Sequence, residues 1–204
     1  IYMAKDKKTL DVIIPEYLSV DQYRLMNDYN GDSEFGRLVH AVAAMTKCSV
    51  DEVRTWSLDS LKDLANEFAS IADHKQEFHS IIEWNGTLYG YAPIRSSTLG
   101  EYIDLENLAK DMQNNMHKVA AILYRPIESH RFKTLKFAYK QKVKMLSNDV
   151  EDVFNWYNVE KYDSDKRKLR EESFRDFPAH ILLGAVSFFL STVNLYSTNI
   201  LSSQ

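Results

Sequence analysis

Residues Ile81-Ile82-Glu83-Trp84-Asn85-Gly86-Thr87-Leu88-Tyr89-Gly90-Tyr91 carry the most specific local signal in this chain. β-Branched and aromatic residues flank an Asn-Gly pair. Asn-Gly is the preferred pair for a two-residue type I′ turn, whose backbone twist matches that of the strands it joins. The stretch therefore predicts a β-hairpin over about residues 77–92. A lone hairpin is marginal in water, so this one needs a partner. Residues 10–14 read as a short strand stopped by Pro15, and they are expected to pair with the hairpin.

Outward from the hairpin the pattern is helical. Glycine (6) and proline (4) are scarce in the 204 residues, and sheet-rich folds spend these residues on turns. Ser19 reads as a helix N-cap with Asp21 in the first turn, and this helix is expected to stop near Asn30-Gly31. Asp32 or Ser33 starts a second helix, on which Phe35, Leu38, Val39, Val42 and Met45 keep helical spacing. Ser49-Val50-Asp51-Glu52 fits a capping box, in which hydroxyl and carboxylate satisfy free amides reciprocally. Another helix begins near Asp59, with Leu61, Leu64, Phe68 and Ile71 on one side. Beyond Pro93, Thr98-Leu99-Gly100-Glu101 repeats the capping pattern ahead of Leu105, Leu108 and Met112. Met116 to Leu123 forms a strongly apolar helix, ended by Pro126 because proline disfavours helix at the residue before it.

The segment 178–201 contains no Asp, Glu, Lys or Arg. Its length would suit a membrane span. Gly184, Ser187, Ser191, Asn194 and Thr198 nevertheless fall on one face, opposite Leu182, Ala185, Val186, Phe189 and Val193. That arrangement predicts a buried or oligomer-packed helix, set against residues 116–123, and no membrane association is expected. The whole predicts a mainly α fold with a small antiparallel sheet, made of the hairpin plus the N-terminal strand, as one compact domain over residues 1–204.

Composition bounds the chemistry. Hydrophobic residues at 45% and charged residues at 26% suit a soluble globular core. A net charge of -4 argues against a nucleic-acid partner, which usually needs a clustered basic face. Residues 130–144 are rich in lysine with Phe137 and Tyr139 among them, a pattern that could meet phosphates and stack bases. The acids Asp149, Glu151 and Asp152 dilute it, and a solvated helix face is expected. The single cysteine, Cys48, excludes an internal disulfide and any zinc site with two thiolates. Residues 1–8 are polar and charged, unlike a cleavable leader.

No His-Glu-x-x-His motif, nucleophile elbow or phosphate-binding glycine loop occurs. His74 and His79, with Glu77 between them, read as loop residues rather than metal ligands. The acid pairs Asp51-Glu52, Asp104/Glu106 and Glu171-Glu172 are typical of exposed helix turns, whereas acid–base work needs carboxylates that meet in a cleft. No enzyme activity, cofactor or metal is expected.

A resemblance adds to this. The hairpin leads to Ser97-Thr98-Leu99-Gly100-Glu101-Tyr102-Ile103-Asp104-Leu105. Next comes His117-Lys118-Val119-Ala120-Ala121-Ile122-Leu123-Tyr124-Arg125-Pro126-Ile127, and then Phe177-Pro178-Ala179 with Gly184-Ala185-Val186-Ser187-Phe188-Phe189. In this order the segments resemble a group of small proteins of tailed bacteriophages. These are encoded among tail and virion genes and described as tail assembly chaperone-like or baseplate-hub-assembly-like. The similarity covers most of the chain and is weakest over residues 131–175.

The resemblance implies a factor in the cytoplasm of the infected bacterium that binds a tail protein stoichiometrically. The alternative is a structural virion protein of the tail, neck or baseplate, and a homo-oligomer fits either. It carries no catalytic residues. A helix-in-groove mode suits such a role, and Phe188, Phe189 and Tyr196 on the uncharged C-terminal helix are the expected partner-binding residues.

Overall fold

Local capping chemistry lays out the first half of the chain. A computed structural model describes residues 12, 14–93, 97–131 and 153–202, with backbone alone for residues 72 and 194–202. Ser19 caps α1 (Val20–Asn27) in a reciprocal capping box with Gln22. Ser33 caps α2 (Glu34–Thr46), Ser49 caps α3 (Val50–Val53) and Ser57 caps α4 (Leu58–Ala72). In each case the serine oxygen accepts an amide proton that the first helical turn cannot use. α1 stops at Asn27, earlier than the Asn30-Gly31 expected, and α2 ends on Lys47 in the left-handed region at φ 59°.

Contacts divide the chain into two compact units, Ile1–Lys75 with Pro178–His180, and Gln76–Phe177 with Ile181–Gln204. In the first unit α2 packs on α1, α3 and α4. Val42, Met45, Val53, Leu61, Leu64 and Phe68 form its core. All of these but Val53 are positions that helical spacing assigned to an apolar face, whereas Phe35, assigned with them, is exposed. The Gln22 side chain donates to the Met45 carbonyl at 2.9 Å and ties α1 to the end of α2.

The second unit holds one four-stranded antiparallel sheet in the order β1-β2-β3-β4. β1 (Ile81–Trp84) and β2 (Thr87–Tyr91) are the expected hairpin, and Trp84 pairs with Thr87 across the turn. Asn85 and Gly86 both have positive φ, 48° and 72°, as a type I′ turn requires.

The hairpin's partner differs from the one expected. It is β3 (Tyr124–His130), followed by β4 (Tyr157–Val159). Of residues 10–14, Val12 and Ile14 are described. Neither lies in a strand, and Val12 is buried in the core of the first unit; the remaining three lie outside the described residues. The third strand hides because it follows α6 without a loop and contains Pro126, a residue foreign to the middle of most sheets. Its ladder survives because Pro126 contributes only its carbonyl, which accepts the Glu160 amide at 2.8 Å, and because the register shifts just beyond, between Ile127 and Ser129.

α5 (Leu99–Ala109) and α6 (Met112–Leu123) precede β3. α7 (Ser164–Glu171), a 3-10 helix (Glu172–Asp176) and α8 (Ala179–Ser202) close the chain. The main neighbours of α6 are α5, α7, the 3-10 helix and β3. The C-terminal helix was expected against α6; instead α8 lays Phe188 on Phe78, Tyr91 and Phe154. Gly184 is buried where an added Cβ would lie 2.4 Å from the Glu77 carbonyl, whereas Ser187 and Ser191 on the same stripe are exposed. The small-residue stripe thus serves one close approach rather than a continuous buried seam. The protein is mainly helical with a small antiparallel sheet.

Candidate binding cleft

A cleft of about 630 Å³ opens in the second unit, between the start of α5 and the segment that runs through β4. Thr98 caps α5 by accepting the Glu101 amide at 3.2 Å, which fixes Glu101 in the first turn with its side chain turned inward. Arg125 comes from β3, where the strand alternation that buries Tyr124 and pairs Arg125 with Gly90 holds it in place. Phe154, Asn155, Tyr157 and Tyr162 line the opposite wall.

Glu101 and Arg125 form the floor. Their side chains are 2% and 4% exposed, and Arg125 Nη2 lies 3.3 Å from Glu101 Oε1. Burial pushes the Glu101 carboxyl above its ordinary value, against the opposing pull of Arg125 and of Thr98 and Ser97. Burial also lowers Arg125, partly offset by Glu101. A close pair of buried opposite charges is stable only when the remaining lone pairs and protons are also satisfied. Here Glu101 Oε2 and Arg125 Nε have no partner in hydrogen-bond geometry among the described residues.

Several of the charges around the cleft are paired, while Lys161 also lines it. Tyr162 donates to Asp104 Oδ2, and its own proton is held tightly by burial and by that carboxylate. Glu160 accepts from Lys166 Nζ at 3.1 Å and from Arg170 Nη1 at 2.6 Å. Burial raises the Glu160 carboxyl, but the bonds from Lys166 and Arg170 outweigh it and leave it below its ordinary value.

The residues singled out in the sequence fall elsewhere. Phe188 stacks on Phe78 with centroids 4.1 Å apart, and Phe189 is half-buried. The Tyr196 side chain and residues 132–152, with most of the lysine-rich stretch, lie outside the described residues. The acid pairs do not converge: Asp51 faces Arg54 on the surface, Glu171 pairs with Arg167, and Glu172 pairs with Arg175. The His74 ring stacks on that of His180 at 5.3 Å, and the His79 carbonyl accepts from Tyr124. Among the described residues no cluster of three metal-ligating side chains occurs. Among them, too, no helix is long and apolar enough to cross a membrane.

Sequence reading missed the cleft because Glu101 looked like a helix cap and Arg125 like the residue before a proline. It also missed an exposed apolar strip on α5, where Leu99, Tyr102 and Ile103 are 75%, 43% and 46% exposed. The spacing i, i+3, i+4 puts the three on one helix face. No known protein family, curated protein or solved structure matches the chain.

Proposed function

We propose that this protein is an assembly factor of a tailed bacteriophage, a chaperone-like protein that binds a tail protein stoichiometrically in the infected cell. The observation that carries the binding role is the α5 strip of Leu99, Tyr102 and Ile103. Three large apolar side chains grouped on one exposed helix face favour a partner surface over water. The tail assignment rests on the resemblance of the segment order to that of the phage group. An apolar helical segment of the tail protein would lie along α5, contributing two or three anchors at the same spacing. The proposed docking surface is α5; the Phe188 ring stacks on Phe78 within its own unit.

The test is a pull-down from infected cells with the full chain and with a Leu99→Asp/Ile103→Asp variant, beside mass spectrometry of purified particles. The variant is expected to keep its helical circular dichroism and lose the tail protein, with the chain absent from mature particles. Recovery of the same tail protein by the folded variant would overturn the α5 site. Many copies in purified particles would replace the chaperone reading with that of a structural virion protein.

A further inference from the structure

We propose that Asn85 is a site of self-modification, where the Gly86 amide nitrogen closes on the Asn85 side chain to form a succinimide at a rate set by opening of the hairpin end. Both residues are exposed at the tip of the β1–β2 turn. Glycine carries no side chain to hinder approach through its nitrogen. The surroundings add no shield, since nothing lies within 4 Å of the place a Cβ would take on Gly86.

The step needs water as its only co-reactant. The Gly86 nitrogen gives its proton to solvent and bonds to Asn85 Cγ. The Cγ–Nδ2 bond breaks, and the nitrogen leaves as ammonia with a proton taken from solvent. Water then opens the ring at either carbonyl. Attack at Cγ restores the original main chain and leaves aspartate. Attack at the main-chain carbonyl of Asn85 leaves Gly86 joined through Cγ, an isoaspartate. Asp-Gly also suits a type I′ turn, so the first product keeps the hairpin. The second adds a methylene to the main chain inside a two-residue turn, against the register that sets Trp84 opposite Thr87.

The folded turn restrains this step. Asn85 and Gly86 are held at φ 48° and 72°. Ring closure needs rotation about the Asn85 ψ, which turns the Gly86 nitrogen toward Cγ and out of the type I′ conformation. Trp84 fastens the end of the hairpin: its indole N–H donates to the Ser173 carbonyl at 3.2 Å, and its ring meets Phe177 edge-on at 5.4 Å. The reaction therefore runs through a local opening in which this fastening is released. The inference is independent of the α5 docking surface.

The test incubates the full chain in mildly alkaline buffer, folded and unfolded in guanidinium chloride. Tryptic peptides are followed by mass spectrometry, with chromatographic separation of aspartyl and isoaspartyl forms. Asn30-Gly31, the same dipeptide in the connection between α1 and α2, is the internal reference. In the unfolded chain the two pairs are expected to convert alike. In the folded chain Asn85 is expected to convert about tenfold to a hundredfold more slowly than when unfolded, with isoaspartate among the products, as a low-energy local opening gives. Trp84→Phe keeps an aromatic ring and drops the indole donor. It is expected to quicken conversion at Asn85 about fivefold, the size of one hydrogen bond, and to leave Asn30 unchanged. The inference is overturned if Asn85 in the folded chain outlasts that range intact, if aspartate is its sole product, if folding gives no protection, or if the folded variant quickens both pairs alike or neither. Should the variant not fold, the ratio of folded to unfolded rates in the native chain decides alone.

Discussion

The ring of Phe188 on α8 lies flat on that of Phe78, ahead of β1, with centroids 4.1 Å apart and planes 14° from parallel. Tyr91 and Phe154 meet the same ring at 5.5 and 6.2 Å. This aromatic group joins the uncharged helix to the sheet, so Phe188 is a packing residue of its unit.

Phe188→Ala is therefore expected to lower stability. Full burial of a phenylalanine would make the loss about 3–5 kcal/mol, and the half-buried position here reduces it to about 2–3 kcal/mol. A urea midpoint that falls with an unchanged slope checks it. A loss below about 0.5 kcal/mol, the level of ordinary surface changes, would sink the packing role.

The Tyr157 ring crosses Gly90, where an added Cβ would lie 2.4 Å from Cε2. The Tyr157 hydroxyl reaches the carbonyls of Ser80 and Tyr91 at 3.1 and 2.8 Å. Gly90→Ala is expected to cost about 1–3 kcal/mol by overpacking. In a Tyr157→Ala background the same change should cost at least about 1 kcal/mol less, since neighbours in contact couple. Additive losses in a double-mutant cycle would show that the close approach does not couple β2 to β4 across the intervening β3.

Two carboxyls act in opposite directions with pH. Glu160 titrates below its ordinary value of 4.5 when folded, so its contribution is present above that value and is lost as pH falls through the folded pKa. Glu101 titrates above 4.5, so the folded state holds its proton more tightly. The stability it contributes is present below the ordinary value and is lost as pH rises from there through the folded pKa. Unfolding midpoints measured from strongly acidic to neutral pH should show Glu160→Gln removing the acid-side loss and Glu101→Gln removing the loss on the alkaline side of 4.5. Parallel profiles for all three proteins would contradict both assignments.

Ser19→Ala removes the oxygen that accepts the Gln22 amide in a buried capping box. A loss of about 1 kcal/mol is expected for such a cap. The exposed cap Ser33 serves as the comparison, with a loss no larger. Amide hydrogen exchange in the first turn of α1 should quicken; unchanged protection there would count against the cap.

The features that could be read from sequence are those set by neighbours within about four residues. Ser19, Ser49 and Thr98 announced helix starts, and Ser33 did so as one of two candidates with Asp32, because a side-chain oxygen and an orphan amide three residues on are always within reach. Asn85-Gly86 announced its turn because few residues tolerate two positive φ angles in succession. Helical spacing likewise placed Leu61, Leu64 and Phe68 in a core before any partner was known. The third strand, the Glu101–Arg125 floor and the seat of Phe188 were decided by tertiary structure alone. Each depends on groups far apart along the chain, and the residues concerned have ordinary local roles as a helix cap, a pre-proline residue and an apolar helix position. Local propensity fixes where an element starts and which face is apolar; which element covers that face is settled only when all of them compete for the same buried surface.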